Sequence, residues 1–246
     1  MSKTIAFWGA HGAGTTTLVC GFAKYLASQR QNVAVVCCDT LCPTIPQILP
    51  HLTSGPNSKN TKSIGKILSA VEFSDNDILK QCVTTDAINR TVFLGYAYGE
   101  HADQYPESTD YDIYNFFTRL SNLVDFILVD CSPDLSNRLT NVALDVADNV
   151  IRVCGCSYKD LTFFASNLED CPQNNTPLDH HIIVFPMVQK NDVVQDTASF
   201  YGAIDYTLNY NPKITEAFRN GLLLASLPPD YMAGIKIIVE EMGFIE

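Results

Sequence analysis

The chain is poor in positive charge. It holds 16 lysines and arginines against 27 aspartates and glutamates, a net charge of −11 over 246 residues. General binding to nucleic acid works by neutralising phosphates with basic side chains, so no specific nucleic-acid partner is expected. Long apolar runs are also missing. No stretch reaches the roughly 18 residues that a spanning helix needs, and no membrane insertion is expected. The start, MSKTIAFWG, lacks the basic segment and apolar stretch of a secretory signal. A cytoplasmic location follows as the expectation, with the nine cysteines as thiols. Cys20, Cys37, Cys38, Cys131, Cys154 and Cys156 stand inside apolar runs, where cysteine behaves as a small core residue. Cys154-Gly-Cys156 has no second Cys or His pair at ligand spacing. His180-His181 reads as a polar pair at the surface, and Arg152, inside a strand pattern, as the structural partner of a carboxylate.

One further absence has chemical weight. GAHGAGTTTL, Gly9 to Leu18, follows the phosphate-loop pattern G-x-x-x-x-G-K-[ST] at Gly9, Gly14 and Thr16, but Thr15 stands where the lysine belongs.

Hydrophobic residues make up 46% of the chain and charged residues 17%, enough for a packed core. Short apolar runs alternate with helix-like segments, the pattern of a mostly parallel sheet covered on both faces. The expected fold is three-layered α/β: a twisted sheet of about seven strands, in one domain over 1–246. Strands are predicted at 5–9, 33–38, 91–96, 125–130, 149–154, 181–185 and 203–208. Helices are predicted at 15–29, 63–71, 75–82, 111–123, 136–147, 159–170, 211–223 and 229–242. The stretches 54–62 and 100–110 read as exposed loops. The end, GIKIIVEEMGFIE, is apolar but acidic and is expected to pack on the domain. Trp8 is expected to fill core behind the loop.

A glycine-rich turn between a buried strand and a helix makes a cradle for an anion. Glycines let backbone N–H groups converge, and the helix start adds partial positive charge. Gly9, Ala10, His11, Gly12, Ala13, Gly14, Thr15, Thr16 and Thr17 are the candidates. The same glycines could simply shape a turn, but two aspartates argue for more. VAVVCCDT ends in Asp39, and DFILVD places Asp130 at a strand end, where a carboxylate can hold Mg²⁺, partly through water, opposite the Thr16 hydroxyl. Ser132-Pro133, after Asp130, is either a phosphate-sensing switch or a turn.

GAHGAGTTTL, VAVVCCDTLCP, DFILVDCSPDLSN and NPKITEAFRNGLLL together resemble the MinD/ParA group of P-loop ATPases, and within it the TadZ/CpaE-like branch of pilus-assembly systems. The resemblance implies ATP or ADP with Mg²⁺ as cofactors, a homodimer, and a protein partner in a pilus, secretion or positioning system. It implies that Thr16, Asp39 and Asp130 serve the metal and that Asp39 also organises the attacking water. The base would lie by Pro186 and Met187. The group's two loop lysines fall on Ala10 and Thr15, and one of its paired aspartates on Cys37. With those charges gone, a weakly or non-hydrolysing ATP-binding scaffold or localisation factor is expected. An active partitioning or positioning ATPase and a nucleotide-free adaptor are the alternatives.

Overall fold

A computed structural model describes residues 2–50 and 61–245 of the chain. The first half runs β1 (Lys3–Gly9), α1 (Thr15–Ser28), β2 (Val33–Cys37), α2 (Ile45–Ile48), α3 (Gly65–Leu68), α4 (Asp75–Gln81), β3 (Val83–Thr85) and β4 (Ile88–Leu94). Next come α5 (Asp110–Ser121), β5 (Phe126–Asp130), α6 (Arg138–Val146), β6 (Asn149–Val153) and α7 (Tyr158–Asn167). The last part is β7 (Ile182–Val188), α8 (Val194–Tyr201), β8 (Tyr206–Asn209), α9 (Pro212–Arg219), α10 (Leu223–Ser226) and α11 (Pro229–Glu241).

The strands form one sheet in the order β3-β4-β2-β5-β1-β6-β7-β8. All pairings are parallel except β3 with β4. The described sheet thus has eight strands rather than about seven. The extra one is Val-Thr-Thr at 83–85, too short for alternation to register. In β1 the side chains from Ile5 to Trp8 are completely buried, as a strand covered on both faces requires. Successive side chains point to opposite faces. Ile5 and Phe7 join Leu18, Phe22 and Leu26 of α1 and Ile235 and Ile238 of α11 on one side. Ala6 and Trp8 join Ile113 and Phe116 of α5, Leu139 of α6 and Phe164 of α7 on the other. Each of the buried leucines, isoleucines and phenylalanines among these contributes about 1.5–3 kcal/mol.

Helix starts follow local chemistry. Ser74 with Asp77 and Thr109 with Asp112 form capping boxes on α4 and α5. Asn211 caps α9, with Pro212 at its first position. The helix predicted over 211–223 is two, α9 and α10, breaking at Gly221 as glycine commonly ends a helix. The 63–71 prediction shrinks to α3, and α2 and α8 were not anticipated. The stretch 100–110 is a connection with one short turn at Ala102–Gln104. The loop predicted over 54–62 lies outside the described residues except for its last two positions. The C-terminal segment packs on the sheet as expected, with Ile235, Ile238, Val239 and Phe244 buried.

Trp8 lies 5.1 Å from the Phe163 ring and 5.4 Å from the Phe164 ring and fills core. Two expectations fail. His181 is 5% exposed, its Nε2 3.1 Å from the Thr176 carbonyl oxygen, and burial pushes its pKa down to about 4. Arg152 is buried and makes no ion pair among the described residues; its Nη2 donates to the Leu178 carbonyl at 3.5 Å. Apolar periodicity does not register single polar residues drawn into the core.

Candidate functional site

Seven parallel strands bring their C-terminal ends to one edge of the sheet, where open α/β sheets bind ligands. β1 ends there at Gly9. A Cβ on Gly9 would stand 2.2 Å from the Val153 carbonyl oxygen on β6, so only glycine lets the two strands lie together at this point. The chain then turns through the loop into α1. Gly14 holds φ +102°, a left-handed conformation that favours glycine, and sits against Pro186 and Met187. Gly14 occupies the cap position of α1, and no side chain caps that helix. Elsewhere Ser74, Thr109, Asn137, Ser157 and Asn211 cap α4, α5, α6, α7 and α9. Like α2, α3, α8, α10 and α11, α1 has no side-chain cap among the described residues, but it is the one whose first turn, Thr15 to Thr17, lines this cavity, with the positive end of the helix dipole behind it.

A cavity of about 420 Å³ opens over this helix start. From the predicted set, Gly9, Ala10, His11, Gly12, Gly14, Thr15, Thr16 and Thr17 line it, with Asp39, Asp130 and Met187. Ala13 and Pro186 do not. Ala13 is buried, its N–H donating to the Ala10 carbonyl at 3.0 Å, and Pro186 backs Gly14.

At the foot of the cavity the Thr16 hydroxyl donates to Asp130 Oδ2 at 2.9 Å. Asp130 is 5% exposed. Burial raises its pKa to about 7; the Thr16 hydrogen bond pulls the other way, the Asp39 charge adds to the rise, and Thr44 lowers it. A carboxylate so placed is stabilised in its charged form by a cation. Asp39 is held by the N–H groups of Leu41 and Cys42 at 2.9 and 2.8 Å. Asn137 Nδ2 donates to the Cys38 carbonyl at 2.9 Å, tying the loop after β5 to the end of β2. Two carboxylates and a hydroxyl are the oxygen donors that a hard divalent cation takes, so the residues fit Mg²⁺. Cys37, by contrast, is 1% exposed and its thiol is pushed well up by burial. It stays neutral and cannot replace a carboxylate. After Asp130, Ser132 N–H donates to Thr140 Oγ1 at 2.9 Å, and Asp134 N–H donates to Ser132 Oγ at 3.3 Å.

The family model described as an AAA domain matches residues 2–164. The chain belongs to the AAA domain family. No curated protein matches this AAA domain chain in sequence. Among solved structures it is similar to the cell division ATPase MinD of Pyrococcus furiosus, at 15% identity and TM-score 0.74 over 99% of each chain. It is similar to MinD of Pyrococcus horikoshii OT3, complexed with Mg-ADP, at 17% identity and TM-score 0.71 over 98% of this chain and 96% of that one. A ParA family ATPase of Chlorobium tepidum TLS matches at 14% identity and TM-score 0.73 over 95% and 96%. The AAA domain chain therefore has the fold of the MinD and ParA ATPases. No helix among its described residues is long and apolar enough to cross a membrane.

The cavity also has walls that the sequence reading missed. Cys42, Thr44 and Gln47 follow β2, and Cys131 follows β5; Pro133, already named with Ser132 from the sequence, also lines it. Gln189, Tyr210, Ile214, Thr215 and Phe218 come from β7, the end of β8 and α9. NPKITEAFRNGLLL holds three of these residues, yet nothing in its spacing separates the ones that face the cavity from those that face the core.

Proposed function

We propose that the chain is a nucleotide-binding protein of the MinD/ParA kind with a degenerate phosphate loop. It binds ATP or ADP with Mg²⁺ and hydrolyses ATP very slowly or not at all. One observation carries the reading: the Thr16 hydroxyl bonded to the buried Asp130 carboxylate, below a helix start left open to the cavity. In P-loop proteins a hydroxyl and a carboxylate in these places hold Mg²⁺. The Mg-ADP held by MinD of P. horikoshii on the same fold supports the same ligand here.

Thr16, Asp130 and Asp39 would hold the metal, which supplies positive charge to the phosphates when bound. Gly12, Gly14 and the N–H groups of Thr15 to Thr17 would hold the phosphates, with Met187, Tyr210 and Phe218 toward the base. Asp39 is the candidate for orienting an attacking water. The chain's own residues offer little to the transition state. Thr15 and Ala10 replace ammonium groups and Cys37 replaces a carboxylate, and a single well-placed cation is worth about 10³–10⁵ in rate.

Such a protein works by binding and release, as a one-domain homodimeric scaffold or localisation factor. The resemblance to the TadZ/CpaE branch supports a partner in pilus or secretion machinery; positioning of other cargo is the second setting. The test is calorimetry with ATP and ADP, with and without Mg²⁺, on the wild type and on Asp130→Ala. Binding that needs Mg²⁺ and Asp130, without phosphate release, is the expected result. No heat with either nucleotide leaves the nucleotide-free adaptor. Sustained phosphate release makes the protein an active ATPase switch.

A further inference from the structure

The loop has no lysine of its own, but an ammonium group reaches it from elsewhere in the fold. Lys159, 148 residues after His11 and in the first turn of α7, donates from Nζ to the His11 carbonyl oxygen. The same Nζ lies 3.6 Å from where a Cβ on Gly12 would stand. His11 and Gly12 both line the cavity.

Nothing in α7 explains a cation at this place. A positive side chain at a helix N-terminus opposes the helix dipole. No ion pair among the described residues includes Lys159. Its neighbour Asp160 is buried and serves the Ser157 cap. The rest of the Lys159 side chain is exposed, so it fills no core. The contact does have an effect on the loop. In a trans peptide the C=O and the next N–H point in opposite directions. Holding the His11 carbonyl therefore sets the direction of the Gly12 N–H. The only ammonium bonded to the loop, among the described residues, thus stands on the carbonyl side of the His11–Gly12 peptide, outside the lining of a cavity whose walls carry Asp39 and Asp130 but no lysine or arginine.

We propose that Lys159 is the cation of this phosphate site: an ammonium delivered from α7 to the His11–Gly12 peptide, taking over the charge that Thr15 and Ala10 do not carry. Its ligand class is the polyphosphate of a nucleotide, so the inference rests on the nucleotide-binding reading above. The fold keeps the charge while moving it to a different helix. An ammonium there favours binding. Because it comes from outside the loop, it does not restore the fast chemistry of the P-loop lysine.

The full chain carrying Lys159→Met or Lys159→Arg is titrated by calorimetry with Mg-ATP and with tripolyphosphate, at low and moderate salt. Melting without ligand is followed in parallel. Lys159→Met is expected to bind both probes about tenfold or more weaker, the size of one charge-assisted contact, with a shallower salt dependence. Lys159→Arg is expected to stay within about threefold, because it keeps the charge. Lys159→Met should melt no lower than the wild type, since it removes an unfavourable charge from a helix start. Lys159→Met binding within about twofold of the wild type would overturn the proposal and leave the nucleotide reading standing. Equal losses in both variants with a lowered melting temperature would make Lys159 a strap for loop shape, which also overturns it. If the wild type binds neither probe, the nucleotide reading falls and this inference with it.

Discussion

Two parts of the cavity wall are built by different means. The loop end is backbone and short side chains, fixed to buried strand ends: Gly9 locked against β6, Gly14 against Pro186 and Met187, Thr16 on Asp130. The other walls are longer side chains on the sheet's last strands and α9: Gln189, Tyr210, Phe218. At the loop end chemistry depends on where the main chain goes, so one wrong Cβ is severe, while Lys159 of α7 is bonded to the loop from outside it. The other walls have no such framework. Tyr210 and Phe218 are 36% and 40% exposed, and affinity there is the sum of small contacts.

The sharpest contrast comes from Gly14→Val. The substitution forces a branched side chain into φ +102°, a strain of about 1–3 kcal/mol, with atoms of Pro186 and Met187 within 3.3 Å of the new Cβ. The loop must move, and the N–H groups at the start of α1 lose their aim. Mg-ATP binding is expected to fall about hundredfold or more, equivalent to some 2.7 kcal/mol, measured by calorimetry. The melting temperature should drop as well. Retained binding would mean that backbone placement does not govern the loop end.

Asp130 comes next. Asp130→Ala is expected to lose about 10- to 100-fold in affinity with Mg²⁺ present and little without it, as removal of a hard-cation ligand requires. The metal-free protein behaves in the opposite way. The Asp130 carboxyl titrates near 7 when folded against 3.8 ordinarily. Folding therefore takes up a proton between those values, and the stability this site contributes is present at low pH and lost as pH rises from about 4 to 7. Asp130→Asn, which cannot charge, should melt higher than the wild type at pH 8 in EDTA. The gain is about 2–4 kcal/mol at 1.36 kcal/mol per pKa unit, and it fades toward pH 4. A gain that persisted at pH 4 would show that charge burial is not its cause. Ligand affinity and metal-free stability thus pull against each other at one residue.

The same contrast explains what could be read in the sequence. Gly9, Gly14, Thr16, Asp39 and Asp130 were legible because the loop is contiguous and buried strands announce their ends through apolar runs such as DFILVD. The parallel sheet was legible for the same reason. Three-residue β3 and four-residue α2 were not, being shorter than the periods that reveal them. Lys159 was invisible, because a first-turn lysine on an exposed helix has no local mark of what it touches 148 residues away. Tyr210 and Phe218 were missed likewise: they reach the cavity through the order of β7 and β8 in the sheet, a tertiary fact.

On the other walls Phe218→Ala is expected to weaken Mg-ATP binding about 3- to 10-fold, in line with an aromatic contact of about 0.5–1.5 kcal/mol. Tripolyphosphate binding should not change, because that probe has no base. A matching loss for both probes would show that α9 props the loop end and that the division drawn above is wrong.

Thr15→Lys should have the smallest effect, although it restores the residue most visibly missing. The new ammonium would stand at the first position of α1, where the helix dipole disfavours a cation until phosphate arrives. Lys159 already brings one ammonium to the loop from the α7 side. A second adds less than the first, because the phosphate charge it meets is partly neutralised. Ala10 remains without charge and Cys37 remains a buried neutral thiol, so the groups that would support the transition state are still incomplete. Mg-ATP affinity is expected to rise by less than about tenfold, or 1.4 kcal/mol, and phosphate release to stay near background. A rise in phosphate release of about hundredfold, some 2.7 kcal/mol of barrier, would instead place the whole deficit in one side chain. It would show that the loop's backbone and Asp39 were already arranged for hydrolysis.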